Sequence, residues 1–428
     1  MVKKIKKLMD TGFLHIVGAG TLNKIISLCS GIVIVRVLSQ YSYGIYSYIL
    51  NIIDIFLIFD GLGTLTGILQ YGCENREQFS IKTAIIKFGL KMGLASATVL
   101  TAAIIVYGVS GKQAIGGTGF IFCIAAFIPI FNYLNNAVGV ILRVENENKK
   151  YGFYSVLSSF LVMASILLGA IFFEVEGAIS FRYIAFVVLM IYALYSFNGM
   201  REILFKKNNV PMPKKMKRSF VSFSLISCAN NSIAHLFYSM DIFLIGVLLV
   251  DPNIIASYKV ATTIPFALTF LTNSIVTYIY PMYVKHKEDY EWIRQNYKSL
   301  LKYLIIMNGL IAVVGIVFAP FIIRLIHGEI YVGQSTDAFR VLMVGFFFSS
   351  VFRIPAGNIL DMFHQVKANF YISIICGPAN IVLDYFLIMQ FNAIGAAIAT
   401  SLVYILYGIL SNILIYRYCK GVKQRNEK

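Results

Sequence analysis

Along the chain, charged residues gather in short clusters, and long stretches between them carry no Asp, Glu, Lys or Arg. The clearest of these are residues 92–111, 113–142, 151–173, 183–200, 219–240, 260–284, 303–323 and 385–416. A charge-free apolar stretch of about 18 residues or more is long enough to cross a bilayer as a helix. Residues 14–35 and 45–69 add two spans with isolated charges, and 341–362 and 368–389 add two more. A polar break at Gln390–Asn392 separates 368–389 from a last span, 393–416. The pattern predicts an all-α integral membrane protein of about twelve transmembrane helices. Membrane strands would show short alternating segments instead.

Composition agrees. Of 428 residues, 58% are apolar and 13% are charged, about half the charged fraction of a soluble domain. A soluble enzyme, a disulfide scaffold and a disordered chain are excluded on this ground. The six cysteines form no CxxC pair, so neither disulfides nor a metal is implied.

The net charge of +17 becomes topology once it is located. With a cytoplasmic N-terminus and alternating spans, 27 of the 37 basic residues fall on the cytoplasmic side and six outside. That asymmetry predicts cytoplasmic N- and C-termini. The basic residues are spread over loops and tails without an aromatic-interleaved stripe, so no nucleic-acid partner is expected.

The longest basic loop, 201–218, contains Pro211 and Pro213 and reads as a linker. It divides an N-lobe of six helices (1–200) from a C-lobe of six (219–416), followed by a basic tail (417–428). An even helix count per half keeps both lobes in the same orientation, an arrangement found in transporters. Short outside loops argue against a membrane polymerase, and there is no phosphate-binding P-loop. No enzyme activity is expected.

Ionisable residues inside spans are costly and mark cavities or pathways. Lys24, His235 and Arg353 fall near the middle of their spans. Lys and Arg there suit a phosphate or pyrophosphate group, Arg through its planar fork. Salt bridging of Lys24 to Asp54 or Asp60, and a hydrogen-bonded core role for His235, are the plainer alternatives. Asp54, Asp60, Asp241 and Asp361 could couple transport to Na⁺, H⁺ or the membrane potential; structural pairing or capping is their alternative. No tightly bound cofactor is expected.

Three segments carry a family resemblance. They are Arg36-Val37-Leu38 with Tyr43-Gly44-Ile45-Tyr46 and Phe59-Asp60-Gly61-Leu62-Gly63; Asp241 to Gly246 with Ser257-Tyr258-Lys259-Val260-Ala261 and Pro281; and Asn380, Leu383-Asp384 and Ile394 to Thr400. In this order they resemble Wzx-like lipid-linked oligosaccharide flippases of the multidrug/oligosaccharidyl-lipid/polysaccharide (MOP) exporter superfamily. The resemblance implies two six-helix lobes around a cationic cavity. It implies alternating-access movement of an undecaprenyl-pyrophosphate-linked oligosaccharide to the outer leaflet of the bacterial cytoplasmic membrane, for capsule, O-antigen or exopolysaccharide assembly. Membrane lipids, a polysaccharide polymerase and assembly proteins are the implied partners. A cation-coupled multidrug antiporter of the same superfamily is the nearest alternative, and a polysaccharide polymerase a more distant one.

Overall fold

Apolar stretches too long for a soluble core fold here as helices, because only a helix satisfies its own backbone hydrogen bonds without water. The structure, a computed structural model, describes residues 13–205, 210–286, 289–363 and 365–426, and no strand occurs among them. The helices are α1 (Phe13–Val37), α2 (Gln40–Leu57), α3 (Thr64–Glu74), α4 (Phe79–Val109), α5 (Gly119–Ala125), α6 (Ile128–Val144) and α7 (Asn148–Ser196). They continue with α8 (Asn198–Phe205), α9 (Lys214–Leu249), α10 (Pro252–Lys285), α11 (Tyr290–Val317) and α12 (Ala319–His327). Last come α13 (Gln334–Phe348), α14 (Ile354–Met362) and α15 (Val366–Asn426).

Side chains set several helix starts. Ser39 Oγ accepts the Ser42 amide at 3.1 Å before α2. Asp251 accepts the Asn253 amide at 2.8 Å before α10, where Pro252 occupies a position that needs no amide proton. Asp289 caps α11 through Trp292 N at 3.0 Å. Each cap satisfies an amide that the first turn leaves without a partner.

Among the described residues, nine stretches are long and apolar enough to cross a membrane. Two of them fold back on themselves. Helix α7 breaks at Phe173 and Glu174, and α15 breaks at Asn392. Close approach of the arms needs glycine. A β-carbon on Gly169 would sit 2.0 Å from the Gly177 carbonyl oxygen, and one on Gly395 would sit 2.0 Å from that of Leu387. Large apolar side chains such as Val106, Phe172, Leu310 and Phe386 are well exposed. Water would not tolerate so much apolar surface; this is a multi-pass membrane protein.

The chain forms two compact units, Met1–Ser239 and Met240–Lys428. The first has cores around Ile68, Ile85 and Phe220 and around Tyr154, Phe186 and Leu189. The division falls inside α9, beyond the 201–218 loop. The early part of α9 belongs to the first unit because Gly63 and Gly67 let it lie against the α2–α3 corner, in contact with Ser224 and Phe220. Part of the loop is itself ordered as α8, with Met200 and Ile203 buried.

Candidate functional site

The second unit holds a buried acidic cluster. Asp241 lies on the last part of α9 and is 4% exposed. Three other segments turn polar groups onto it. Tyr258, from α10, donates its hydroxyl to Asp241 Oδ2. Thr400 Oγ1, from the second arm of α15, donates to the same oxygen at 2.6 Å. Asn380, from the first arm, directs its amide at Asp241 Oδ1 (3.5 Å) and at Asp384 Oδ2. Asp384 is completely buried, and its Oδ1 has no hydrogen-bond donor.

The local sequence explains the convergence. Asn380 and Asp384 are four residues apart, so they share one helix face. The break at Asn392 brings the second arm back beside the first, and Thr400 thereby reaches the same point. Each bare carboxylate placed in an apolar interior costs several kcal/mol unless a counter-charge offsets it. Two carboxylates, a threonine hydroxyl, a tyrosine hydroxyl and an amide that can present its oxygen form a hard oxygen donor set. Such a set suits a small cation such as Na⁺, or a proton, rather than a thiophilic metal. Among the described residues no group of three or more His, Cys, Asp and Glu side chains gathers for a transition metal.

The expected site residues fare differently. Asp241 is the centre of this cluster. Arg353, also in the second unit, ends a π-helical turn, Ser349–Arg353. Its guanidinium carbon lies 4.5 Å from the Tyr404 ring centroid and 5.6 Å from that of Tyr407, and Nε donates to Ser349 Oγ at 2.9 Å. The planar cation is therefore held against two aromatic faces. Asp361 is exposed and accepts the Asn369 amide at 2.7 Å, so the structure does not bring it to Asp241.

In the first unit, Lys24 and Asp54 have exposed side chains on α1 and α2. Asp60 is half-buried where the helix breaks between α2 and α3, and Asn132 hydrogen-bonds to it. Gly61, Leu62 and Gly63 all have positive φ there. The side chain of His235 lies outside the described residues.

In the sequence, Thr400 and Tyr258 stand out only as parts of family signatures, whereas Asp384 is also an intramembrane acid near the end of a span. The usable signal was the Asn380-x-x-x-Asp384 spacing beside an acid already singled out.

A model of the polysaccharide biosynthesis protein family matches residues 33–335, well over half of the chain. The chain belongs to that family. Among curated relatives, the family member is 27% identical over 169 residues to a putative O-antigen transporter of Shigella flexneri. That match covers 39% of this chain and 39% of the relative. Two solved structures are similar over nearly the whole polysaccharide biosynthesis chain, both at 14% identity. An inward-facing MATE multidrug resistance transporter of the MOP superfamily has a TM-score of 0.75, covering 94% of this chain and 96% of its own. The lipid II flippase MurJ has 0.72, covering 95% and 89%. The signatures at Asp241, Asp384 and Thr400 thus lie in a fold shared with these two transport proteins.

Proposed function

We propose that this chain is a cation-coupled flippase for lipid-linked oligosaccharides. It would carry an undecaprenyl-pyrophosphate-linked repeat unit from the inner to the outer leaflet of a bacterial cytoplasmic membrane by alternating access. The reading takes twelve crossings with both termini cytoplasmic. Its product would feed a polysaccharide polymerase and its assembly partners; the chain itself catalyses no covalent step.

One observation carries the coupling. Asp241 and Asp384 are buried side by side among oxygen donors, in a chain of a polysaccharide biosynthesis family. Buried charge at this cost calls for a counter-ion, and an ion that enters and leaves can bias a two-state transporter. Arg353, held over the Tyr404 and Tyr407 rings, supplies a cation of the kind that recognises phosphate. The likeness to a multidrug transporter keeps drug–cation antiport as the competing reading.

The test is genetic and biochemical. Deleting the gene in the producing strain should stop polymer reaching the surface and leave lipid-linked oligosaccharide in the inner leaflet. Wild type should restore export, and Asp241→Asn should not. Intact export in the deletion strain, together with a changed drug tolerance, would move the assignment to the antiporter.

A further inference from the structure

The first unit contains a polar cavity of about 310 Å³ between α6 and α7, near the small end of ligand pockets, which run about 300–1,000 Å³. Every residue lining it except Gly139 and Val140 carries a polar side-chain group, and none is acidic. Polar side chains set among apolar spanning helices are costly unless they are used. Some here are used structurally. Asn135 accepts the Tyr154 hydroxyl at 2.7 Å and bonds to Ser158 at 3.0 Å. That network fixes one wall of the cavity.

The remaining wall presents the chemistry of a carbohydrate site. Tyr151 offers an aromatic face, and it lies close to α6 because Gly139 has no side chain; a β-carbon there would sit 3.1 Å from the ring. Asn136 is exposed and offers an amide, a group that can donate to one hydroxyl and accept from its neighbour. Ser159 adds a hydroxyl, and so does Ser155, which also accepts the Asn23 amide and keeps its own proton to donate. Arg143 contributes the one cation of the lining, its guanidinium carbon 5.5 Å from the Tyr151 ring centroid. An aromatic face, amides, hydroxyls and one arginine suit a sugar ring joined to a phosphate. The absence of a carboxylate from the lining disfavours a cationic drug.

We propose that this cavity is a saccharide subsite for the sugar nearest the phosphate of the lipid-linked headgroup. Tyr151 lies under the ring, Asn136 binds ring hydroxyls and Arg143 binds the adjoining phosphate. This rests on the flippase reading and adds to it a location for the sugar. The subsite lies at the end of α6 and α7 where Arg143, Lys149 and Lys150 cluster, the side on which the headgroup is assembled in that reading.

The experiment uses the full chain in lipid nanodiscs with three probes: undecaprenyl diphosphate, the same lipid bearing one N-acetylglucosamine, and UDP-N-acetylglucosamine as competitor. Wild type should bind the sugar-bearing lipid about tenfold tighter than the bare lipid, the size of one or two good hydrogen bonds. Asn136→Leu should abolish that preference while leaving bare-lipid affinity and melting temperature unchanged. Arg143→Gln should weaken both lipids by a similar factor. A sugar preference that survives Asn136→Leu, or a wild type without one, overturns the subsite and leaves the flippase reading standing. Displacement of the sugar-bearing lipid by UDP-N-acetylglucosamine alone would reassign the cavity to a soluble nucleotide sugar and also overturns it. A wild type that binds neither lipid overturns the flippase reading and the subsite together.

Discussion

Thr400 Oγ1 donates to Asp241 Oδ2 at 2.6 Å across 159 residues of sequence. The same carboxylate oxygen takes the Tyr258 hydroxyl, while Asn380 directs its amide to the other. A carboxylate held by three side chains from separate helical arms is fixed in position. With Asp384 beside it, the cation of the proposed coupling would meet two carboxylates already fixed in place.

The cluster should govern ion dependence. Asp241→Asn and Asp384→Asn should abolish the cation stimulation of lipid movement in proteoliposomes. Thr400→Val removes one oxygen and should raise the half-saturating cation concentration about tenfold, the value of a single polar contact. Asp361→Asn should transport normally, because Asp361 is exposed and bonded to Asn369. The measurement is transport rate against Na⁺ concentration at two pH values. Superimposable titrations for wild type and Thr400→Val would remove Thr400 from the ion site.

Arg353 should not be replaceable by lysine. Its guanidinium spreads over Tyr404 and Tyr407 and bonds to Ser349, a geometry that an ammonium point charge cannot reproduce. Arg353→Ala should abolish export, and Arg353→Lys should retain only a small part of it. The lost stacking should cost about 1 kcal/mol of stability in either variant. Comparing export with melting temperature separates the two effects: full export from Arg353→Lys at a lowered melting temperature would make the stacking structural alone.

The sequence made the helices legible because uninterrupted apolar length is a direct physical demand of the bilayer. Even the two fold-back points were marked, one near Glu174 and one by the polar run before Ala393. The site was legible in part. Asp241 stood out as a charge within a span, but the grouping around it did not: Asn380 and Asp384 share one helix face, and Thr400 reaches them only through the bend at Asn392. Conversely, Asp54 and Asp361 looked equivalent to Asp241. A charge in a span states its depth, whereas the face it occupies depends on which helices pack beside it. Lys82 and Glu145 lie 63 residues apart, and nothing in the chain order pairs them; they meet only where α4 packs on the end of α6.

The corner between α2 and α3 should be intolerant of any side chain at Gly63. Its φ is +72°, and a β-carbon would lie 2.2 Å from the backbone carbonyl oxygen of Ser224. Backbone cannot retreat as a side-chain tip can. Gly63→Ala should therefore cost about 4 kcal/mol or more, through combined strain and displacement of α9. Gly67→Ala meets Ser224 Oγ and the Phe220 ring instead and should cost less. Gly199→Ala, with nothing within 4 Å, should be neutral or gain about 0.5 kcal/mol. Thermal unfolding in detergent ranks the three; a Gly63→Ala variant as stable as Gly199→Ala would contradict the packing of α9 on this corner.

Lys82 and Glu145 should behave as a unit. Lys82 Nζ lies 2.7 Å from Glu145 Oε1, with side-chain exposures of 7% and 25%. The pair joins the start of α4 to the end of α6, where Arg76 also donates to the Val144 carbonyl at 2.6 Å. Desolvation offsets much of the attraction in such a pair, so its net stabilisation is small, whereas removing one member leaves an uncompensated buried charge. Lys82→Met should cost about 3 kcal/mol. Glu145→Leu should cost less, because the Lys82 ammonium still faces the Phe79 ring at 5.5 Å. The double variant should recover to within about 1 kcal/mol of wild type, since both charges are then gone and apolar surface replaces them. A double-mutant cycle on unfolding free energy measures this directly. Additive losses would mean that the two residues act separately, and that the contact between α4 and α6 rests on Arg76 and the apolar core instead.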